Sequence, residues 1–192
     1  MLALAAGQGS SLLVLGGGAV GLSAVMGAKI RGCGTVIVLE PHATRRALAL
    51  ELGATHAIDP AVSPDLPAAV RAIAPHGVDY AFDTTGRPEI LSATMACLAP
   101  KGVFGIVGIP PAGTPVPGDL GTVLTFGQTV RGIIEGDSDP DRFLPELIAH
   151  WRAGRLPLEK IVRTFPFAEI KSAIAAQHHG DCVKVVLTLE GN

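Results

Sequence analysis

Aromatic side chains are scarce in this chain, 4% of 192 residues, with one tyrosine and one tryptophan. That leaves no stacking platform of the kind used to bind single-stranded nucleic acid. Charge is scarce too. Charged residues make up 17%, against about 25% in an average soluble domain, which excludes a solvated disordered tail or a charge-laced coiled coil. Basic and acidic side chains nearly cancel, 15 against 17, so nothing marks nucleic acid or an anionic membrane as a partner. Cysteine is limited to Cys33, Cys97 and Cys182, with no C-x-x-C pair. A disulfide framework, a thiolate zinc knuckle and a redox motif are therefore not legible, and reduced thiols of a cytoplasmic protein are expected. No charged residue precedes Lys29. That opening has no basic n-region, and Gly16, Gly17, Gly18, Gly21 and Gly27 interrupt it, so a buried strand, tight turn and buried helix explain it better than a signal peptide or membrane span.

What is present is apolar bulk and punctuation: 48% hydrophobic residues, 24 glycines and 15 prolines without a collagen period. The glycines and prolines read as turns and close backbone approaches. Apolar, β-branched runs predict strands at Ser11–Leu15, Thr35–Leu39, His56–Asp59, Val78–Phe82, Gly102–Val107 and Thr129–Ile134. Helical patterns fall between them at Ala19–Arg31, Ala43–Leu52, Asp65–Ala74 and Pro88–Leu98, and Pro110–Gly118 reads as a loop. Strands alternating with helices mean βαβ units and a parallel sheet. The expected fold is α/β, a six-stranded doubly wound parallel sheet of the Rossmann type in the order 3-2-1-4-5-6, over residues 1–134. Residues 135–192 change character. An amphipathic helix is expected at Asp139–Arg152, with Phe143, Leu144, Leu147, Ile148 and Trp151 on its apolar face, then a helix at Ala168–Gln177 and a strand at Val183–Leu189.

Gly16-Gly17-Gly18-Ala19-Val20-Gly21 fits G-x-G-x-x-G, a weak signal alone. Here it follows a predicted buried strand and opens a helix, and Glu40 ends the next strand. Gly16 makes the tight turn, Gly18 admits a pyrophosphate, and Gly21 brings helix and strand together. Free N–H groups at Ala19 and Val20 favour phosphate. Glu40 is expected to accept hydrogen bonds from the adenosine ribose. A carboxylate there repels the 2′-phosphate of NADP by about 1 to 4 kcal/mol at about 4 Å, depending on the dielectric, which favours NAD over NADP. Arg45 and Arg46 pull the other way, since an arginine nearby can hold that phosphate; solvated positions on a first helical turn account for Arg46 equally well.

Further segments occur in a fixed order: Leu52-Gly53-Ala54-Thr55-His56, Val78-Asp79-Tyr80, Thr85-Gly86-Arg87-Pro88-Glu89 and Val107-Gly108-Ile109-Pro110-Pro111. With the glycine turn, this series resembles the cofactor domain of zinc-type medium-chain alcohol dehydrogenases. Arg131 to Ser138 and the stretch from Pro140 to Pro145 resemble the aryl, benzyl-type members most. The resemblance implies that Arg45 reaches the adenosine ribose, that Thr84 lies beside the nicotinamide, and that the backbone of Val107, Gly108, Ile109 and Ile133 holds its carboxamide. It also implies that Lys184 contacts the pyrophosphate, where an exposed strand lysine is the plainer alternative. In such enzymes zinc polarises a small-molecule alcohol, and hydride passes between alcohol or aldehyde and cofactor.

The family's zinc ligands lie in an N-terminal catalytic domain that this sequence does not contain, so no catalytic or metal-binding residue is expected here. The chain alone should bind cofactor without catalysing. His178 and His179 are adjacent, hence about 100° apart on a helix, and are expected in solvent; the scattered His42, His56, His76 and His150 read as surface or loop residues rather than ligands. Residues 135–192 would complete the catalytic domain and leave a sticky apolar surface without it. A dimer or tetramer through the sixth strand's edge is implied by the resemblance. Other readings stay open: a non-catalytic dinucleotide-binding module, the cofactor domain of a zinc-free quinone reductase, and, less well matched to Gly21, a methyltransferase. A short-chain dehydrogenase is excluded, because the only tyrosine, Tyr80, is followed four residues later by Thr84 rather than lysine.

Overall fold

The structure is a computed structural model that describes residues 2–180 and 182–189. Six strands form one parallel sheet: β1 (Ser11–Leu15), β2 (Thr35–Leu39), β3 (His56–Ile58), β4 (Val78–Asp83), β5 (Leu98–Ile106) and β6 (Thr129–Gly132). Their order is β3-β2-β1-β4-β5-β6, as the alternation of strands and helices predicts. Helices α1 (Ala19–Ile30), α2 (Ala43–Leu52), α3 (Leu66–Ile73) and α4 (Pro88–Met95) make the crossovers.

Both faces of this sheet are covered, which is why its central strands carry unbroken apolar runs at Leu12–Leu15 and Val36–Leu39. Side chains alternate between the faces with the strand period of two. Leu12 and Val14 of β1 and Val36 and Val38 of β2 pack with α1 and α2 in one core. Leu13, Leu15, Ile37 and Leu39 pack with α3 and α4 in the other. A one-residue slip of either strand would send its side chains to the opposite core.

Three elements depart from the sequence expectation. Leu98 opens β5 instead of closing the fourth helix, which ends at Met95. The Pro100-Lys101-Gly102 run, which signals a turn, is a bulge within a continuing strand. Lys101 takes φ 64°, and the register against β4 shifts between Val78 and Tyr80. Between β5 and β6 lies an additional helix, α5 (Leu120–Phe126). Asp119 caps it, accepting from the Thr122 amide at 2.9 Å and from the Thr122 hydroxyl, and these bonds hold its carboxyl below the usual range. None of its residues is buried, and its apolar spacing, Leu120, Val123 and Leu124, lasts little more than one turn. The third is strand β7 (Val162–Pro166), which pairs in parallel with β8 (Lys184–Thr188). Three of its five residues are exposed and its apolar residues do not alternate cleanly, which hides it from pattern reading.

Helix α6 (Pro140–Arg152) precedes β7, and α7 (Ile170–His179) links the two strands. Leu156, Ile161 and Val183 join the core shared with α1 and α2, while Phe165, Ala173 and Cys182 form a small core of their own. On α6, Phe143 and Leu147 are partly covered, but Leu144, Ile148 and Trp151 stand about half exposed, leaving the expected apolar surface open. No described helix is long and apolar enough to cross a membrane.

All three cysteines are free thiols. Burial pushes the Cys97 thiol up to about 12 and that of Cys33 upward as well. Because the thiolate is the reactive form, Cys97 of the folded chain should resist a disulfide-exchange reagent at pH 8 and react only after denaturation. Cys33, partly exposed, should be labelled first, as mass spectrometry of the partly modified chain can read.

Candidate functional site

The chain winds outward from β1 to β3, then returns to β4 beside β1 and proceeds to β6. The direction reverses between β1 and β4, and the crevice above their carboxyl ends is where such sheets bind ligands. Register places Leu15 beside Leu39 and Asp83, and Asp83 beside Ile106. The ends of four strands therefore meet at one level.

Gly16 takes φ +98°, a conformation that β-carbon-bearing residues rarely adopt, and its N–H donates to the Leu39 carbonyl at 2.9 Å. A β-carbon at Gly21 would lie 1.8 Å from the Gly16 carbonyl oxygen, so helix and turn touch backbone to backbone. Gly18 caps the N-terminus of α1 without a side-chain hydrogen bond. A β-carbon there would meet nothing within 4 Å and would fill the open space in front of the helix. The first turn of α1, with Ala19 and the half-exposed Val20, carries no acidic residue, so its N–H groups and helix dipole face that space uncompensated.

Glu40, one residue beyond β2, is only 3% exposed. Its Oε2 accepts from the Gly17 N–H at 2.7 Å and its Oε1 from the His42 N–H at 2.9 Å. The carboxylate is thus fixed against the glycine turn, and each oxygen keeps lone-pair capacity for a further donor.

The two arginines on α2 are elsewhere. Arg45 turns away and donates from Nη2 to the Gln177 carbonyl near the end of α7 at 3.2 Å, while its Nε is buried without a partner. It therefore ties α2 to the C-terminal segment, because the last carbonyls of α7 need donors. It also lines a cavity of about 290 Å³ between α2 and β7. Arg46 is not simply solvated: it pairs with Asp59 at 2.7 Å and donates to the Glu40 and Pro41 carbonyls at 2.9 and 2.7 Å.

Across the crevice, Thr84 donates from its hydroxyl and its amide to the Leu15 carbonyl at 2.8 and 3.0 Å. It also stands against Gly16, where a β-carbon would come within 2.6 Å of Oγ1. The amides of Val107 and Gly108 donate to the Asp83 carbonyl at 2.9 and 3.1 Å, and that of Ile133 to Ile106 at 3.0 Å. Those three N–H groups are therefore taken, whereas no described hydrogen bond engages the Ile109 N–H. The Ile109 side chain is 93% exposed, whereas that of Ile133 is buried in the core. Lys184 is exposed at the start of β8 beside Val162, and no described hydrogen bond ties its ammonium to the glycine turn.

Asp83 is the residue that sequence reading missed. It is fully buried. Oδ1 accepts from the Thr85 amide and hydroxyl at 3.1 and 2.7 Å, and Oδ2 from the Gly86 amide at 2.8 Å. The signal was available: an acid closing the apolar end of a strand, as Glu40 follows β2.

Among the described residues, no group of three or more His, Cys, Asp or Glu side chains is placed to hold a metal ion, and His178 and His179 are exposed.

Fold and crevice together define a doubly wound α/β protein of the Rossmann type. Residues 19–150, more than half of the sequence, match the family model described as zinc-binding dehydrogenase, and the chain belongs to that family. It is 45% identical over 184 residues to a geraniol dehydrogenase of Castellaniella defragrans, covering 96% of this chain and 49% of that protein. An alcohol dehydrogenase zinc-binding domain protein from Burkholderia ambifaria superposes with a TM-score of 0.93 at 43% identity, over 98% of this chain and 50% of that one. Benzyl alcohol dehydrogenase from Acinetobacter calcoaceticus superposes at 0.92 with 35% identity, over 97% and 51%. The chain spans about half the length of the curated relatives it matches.

The two glycines of the turn should respond differently to alanine. Gly21→Ala drives a β-carbon into the Gly16 carbonyl and should cost about 1–3 kcal/mol or more. Gly18→Ala enters open space and should change stability by less than about 1 kcal/mol. Urea unfolding followed by circular dichroism distinguishes them.

Proposed function

We propose that this chain is the cofactor-binding part of a zinc-dependent alcohol dehydrogenase, that it takes NAD in preference to NADP, and that it orients the nicotinamide for exchange of hydride with an alcohol. The observation that carries the reading is Glu40, buried at the end of β2 and hydrogen-bonded to Gly17 in the glycine turn. A carboxylate held there presents acceptors to ribose hydroxyls and repels a 2′-phosphate. The open face at Gly18 and the uncapped start of α1 suit a pyrophosphate. From there a dinucleotide would run across the β1/β4 boundary toward Thr84 and the 107–109 loop. Bound nicotinamide supplies the hydride acceptor; the chain's residues hold, orient and shield it. Arg45 would need to leave Gln177 to serve the ribose, so Glu40 is assigned that role alone. The described residues do not fit the family's zinc, and no step is assigned through it.

Benzyl alcohol and geraniol, named in the relatives, are both primary alcohols whose carbinol carbon is bonded to an sp² carbon. Benzylic or allylic alcohols, and the corresponding aldehydes, are therefore the proposed substrates of the complete enzyme. A cytoplasmic homo-oligomer, dimer or tetramer, is proposed as its state. The edge strand β6 is largely exposed, and Leu120, Leu124, Phe126 and Ile134 beside it are uncovered.

Calorimetric titration of the purified chain with NADH and NADPH tests the cofactor assignment. Saturable NADH binding is expected, with NADPH at least about tenfold weaker, a gap of about 1.4 kcal/mol. Gly18→Ala should weaken NADH while leaving the fold intact, and the metal-free chain should not oxidise benzyl alcohol. Equal or tighter NADPH binding would overturn the preference for NAD. Absence of binding by either would overturn the reading.

A further inference from the structure

We infer that Asp83 is a positioning residue for the nicotinamide half of the bound dinucleotide, acting through the two loops that hang from it. The inference rests on the dinucleotide reading above and adds a residue that touches no ligand itself. Glu40 lies on the β2 side of the crevice and anchors the adenosine end. The rest of the molecule must then extend over β1 toward β4 and β5. At that end the walls are two short loops, 84–86 after β4 and 107–109 after β5.

Apolar packing reaches these loops only at Val107. Both are held by Asp83. Its carboxylate takes the amides of Thr85 and Gly86 and the Thr85 hydroxyl, while its carbonyl takes the amides of Val107 and Gly108. Hydrogen bonds to an ionised acceptor are about twice as strong as neutral ones, and this acceptor is fully buried.

The loops also touch each other with no room to spare. A β-carbon at Gly108 would lie 2.3 Å from the Gly86 nitrogen and 2.8 Å from Asp83 Oδ2, and one at Gly86, where φ is +63°, would lie 2.6 Å from the Ile109 carbonyl oxygen. The two walls therefore move as one body with Asp83 as the joint. Asparagine in its place keeps the shape but turns one acceptor into an N–H pair facing another N–H.

The test compares NADH with ADP-ribose, which lacks the nicotinamide, on the wild-type chain, Asp83→Asn and Thr85→Val. Wild type should bind both, NADH more tightly and with enhanced nicotinamide fluorescence. In Asp83→Asn, NADH affinity should fall by about tenfold, and the fluorescence gain should be lost. ADP-ribose affinity should stay within about twofold. Thr85→Val removes only the hydroxyl donor to Oδ1. It should shift NADH in the same direction by about threefold, so the inference remains open to refutation if Asp83→Asn does not fold.

Equal losses for NADH and ADP-ribose would make Asp83 a general structural support and overturn the inference, as would no change in either. Wild-type NADH binding no tighter than ADP-ribose would overturn it too. If wild type binds neither ligand, the dinucleotide reading itself fails, and that is seen before any variant is compared.

Discussion

Loops at the carboxyl edge of a parallel sheet present amide N–H groups with no neighbouring strand to receive them, and buried amides must find acceptors. In this chain two buried carboxylates meet much of that demand. Glu40 takes the Gly17 and His42 amides, and Asp83 takes those of Thr85 and Gly86. Their partners sit on opposite sides of the place where the sheet reverses direction. The crevice is therefore bounded by backbone whose geometry is set largely by charge-assisted hydrogen bonds, with Val107 packed against the core beneath it. Such walls can stand open to a polar ligand without collapsing. Removing either carboxylate would leave buried donors unsatisfied and release the loops it holds.

The second constraint is contact between backbones where side chains have been dispensed with. Gly21 lies on Gly16 and Gly108 on Gly86, while Gly16 stands against the Thr84 hydroxyl. These contacts bring α1 and the loops close enough to the strand ends for the helix dipole to act on the crevice. The C-terminal segment is coupled to the same region by another route. Thr44 and Arg45 donate to the Gly180 and Gln177 carbonyls, and the ring of His42 packs where a β-carbon of Gly180 would stand. Apolar side chains stay open on α6 (Leu144, Ile148, Trp151) and on α5 (Leu120, Leu124, Phe126).

The order of the main sheet was legible because its information is local and periodic. Buried strands such as Ser11–Leu15 and Thr35–Leu39 read directly, and so did the glycine turn with its matched acid at Glu40. The elements that escaped are short or mostly exposed. Helix α5 spans Leu120–Phe126 and buries no residue fully, three of the five residues of β7 are exposed, and the bulge at Lys101 looks locally like a turn. At the site, residues whose role is backbone geometry were readable from glycine spacing. Side-chain direction was not: Arg45 and Arg46 are neighbours on α2, yet one reaches α7 and the other the end of β2. Asp83 escaped because its role depends on two loops far apart in sequence meeting over one carboxylate.

The central claim, that one ligand spans both carboxylate-held walls, is tested most directly by amide hydrogen exchange of the chain with and without saturating NADH. The account predicts slowed exchange in three separate stretches, 16–20, 84–86 and 107–109, with the rest of the sheet unchanged. Protection confined to 44–48 and 160–163, around the cavity between α2 and β7, would place the ligand elsewhere and contradict it.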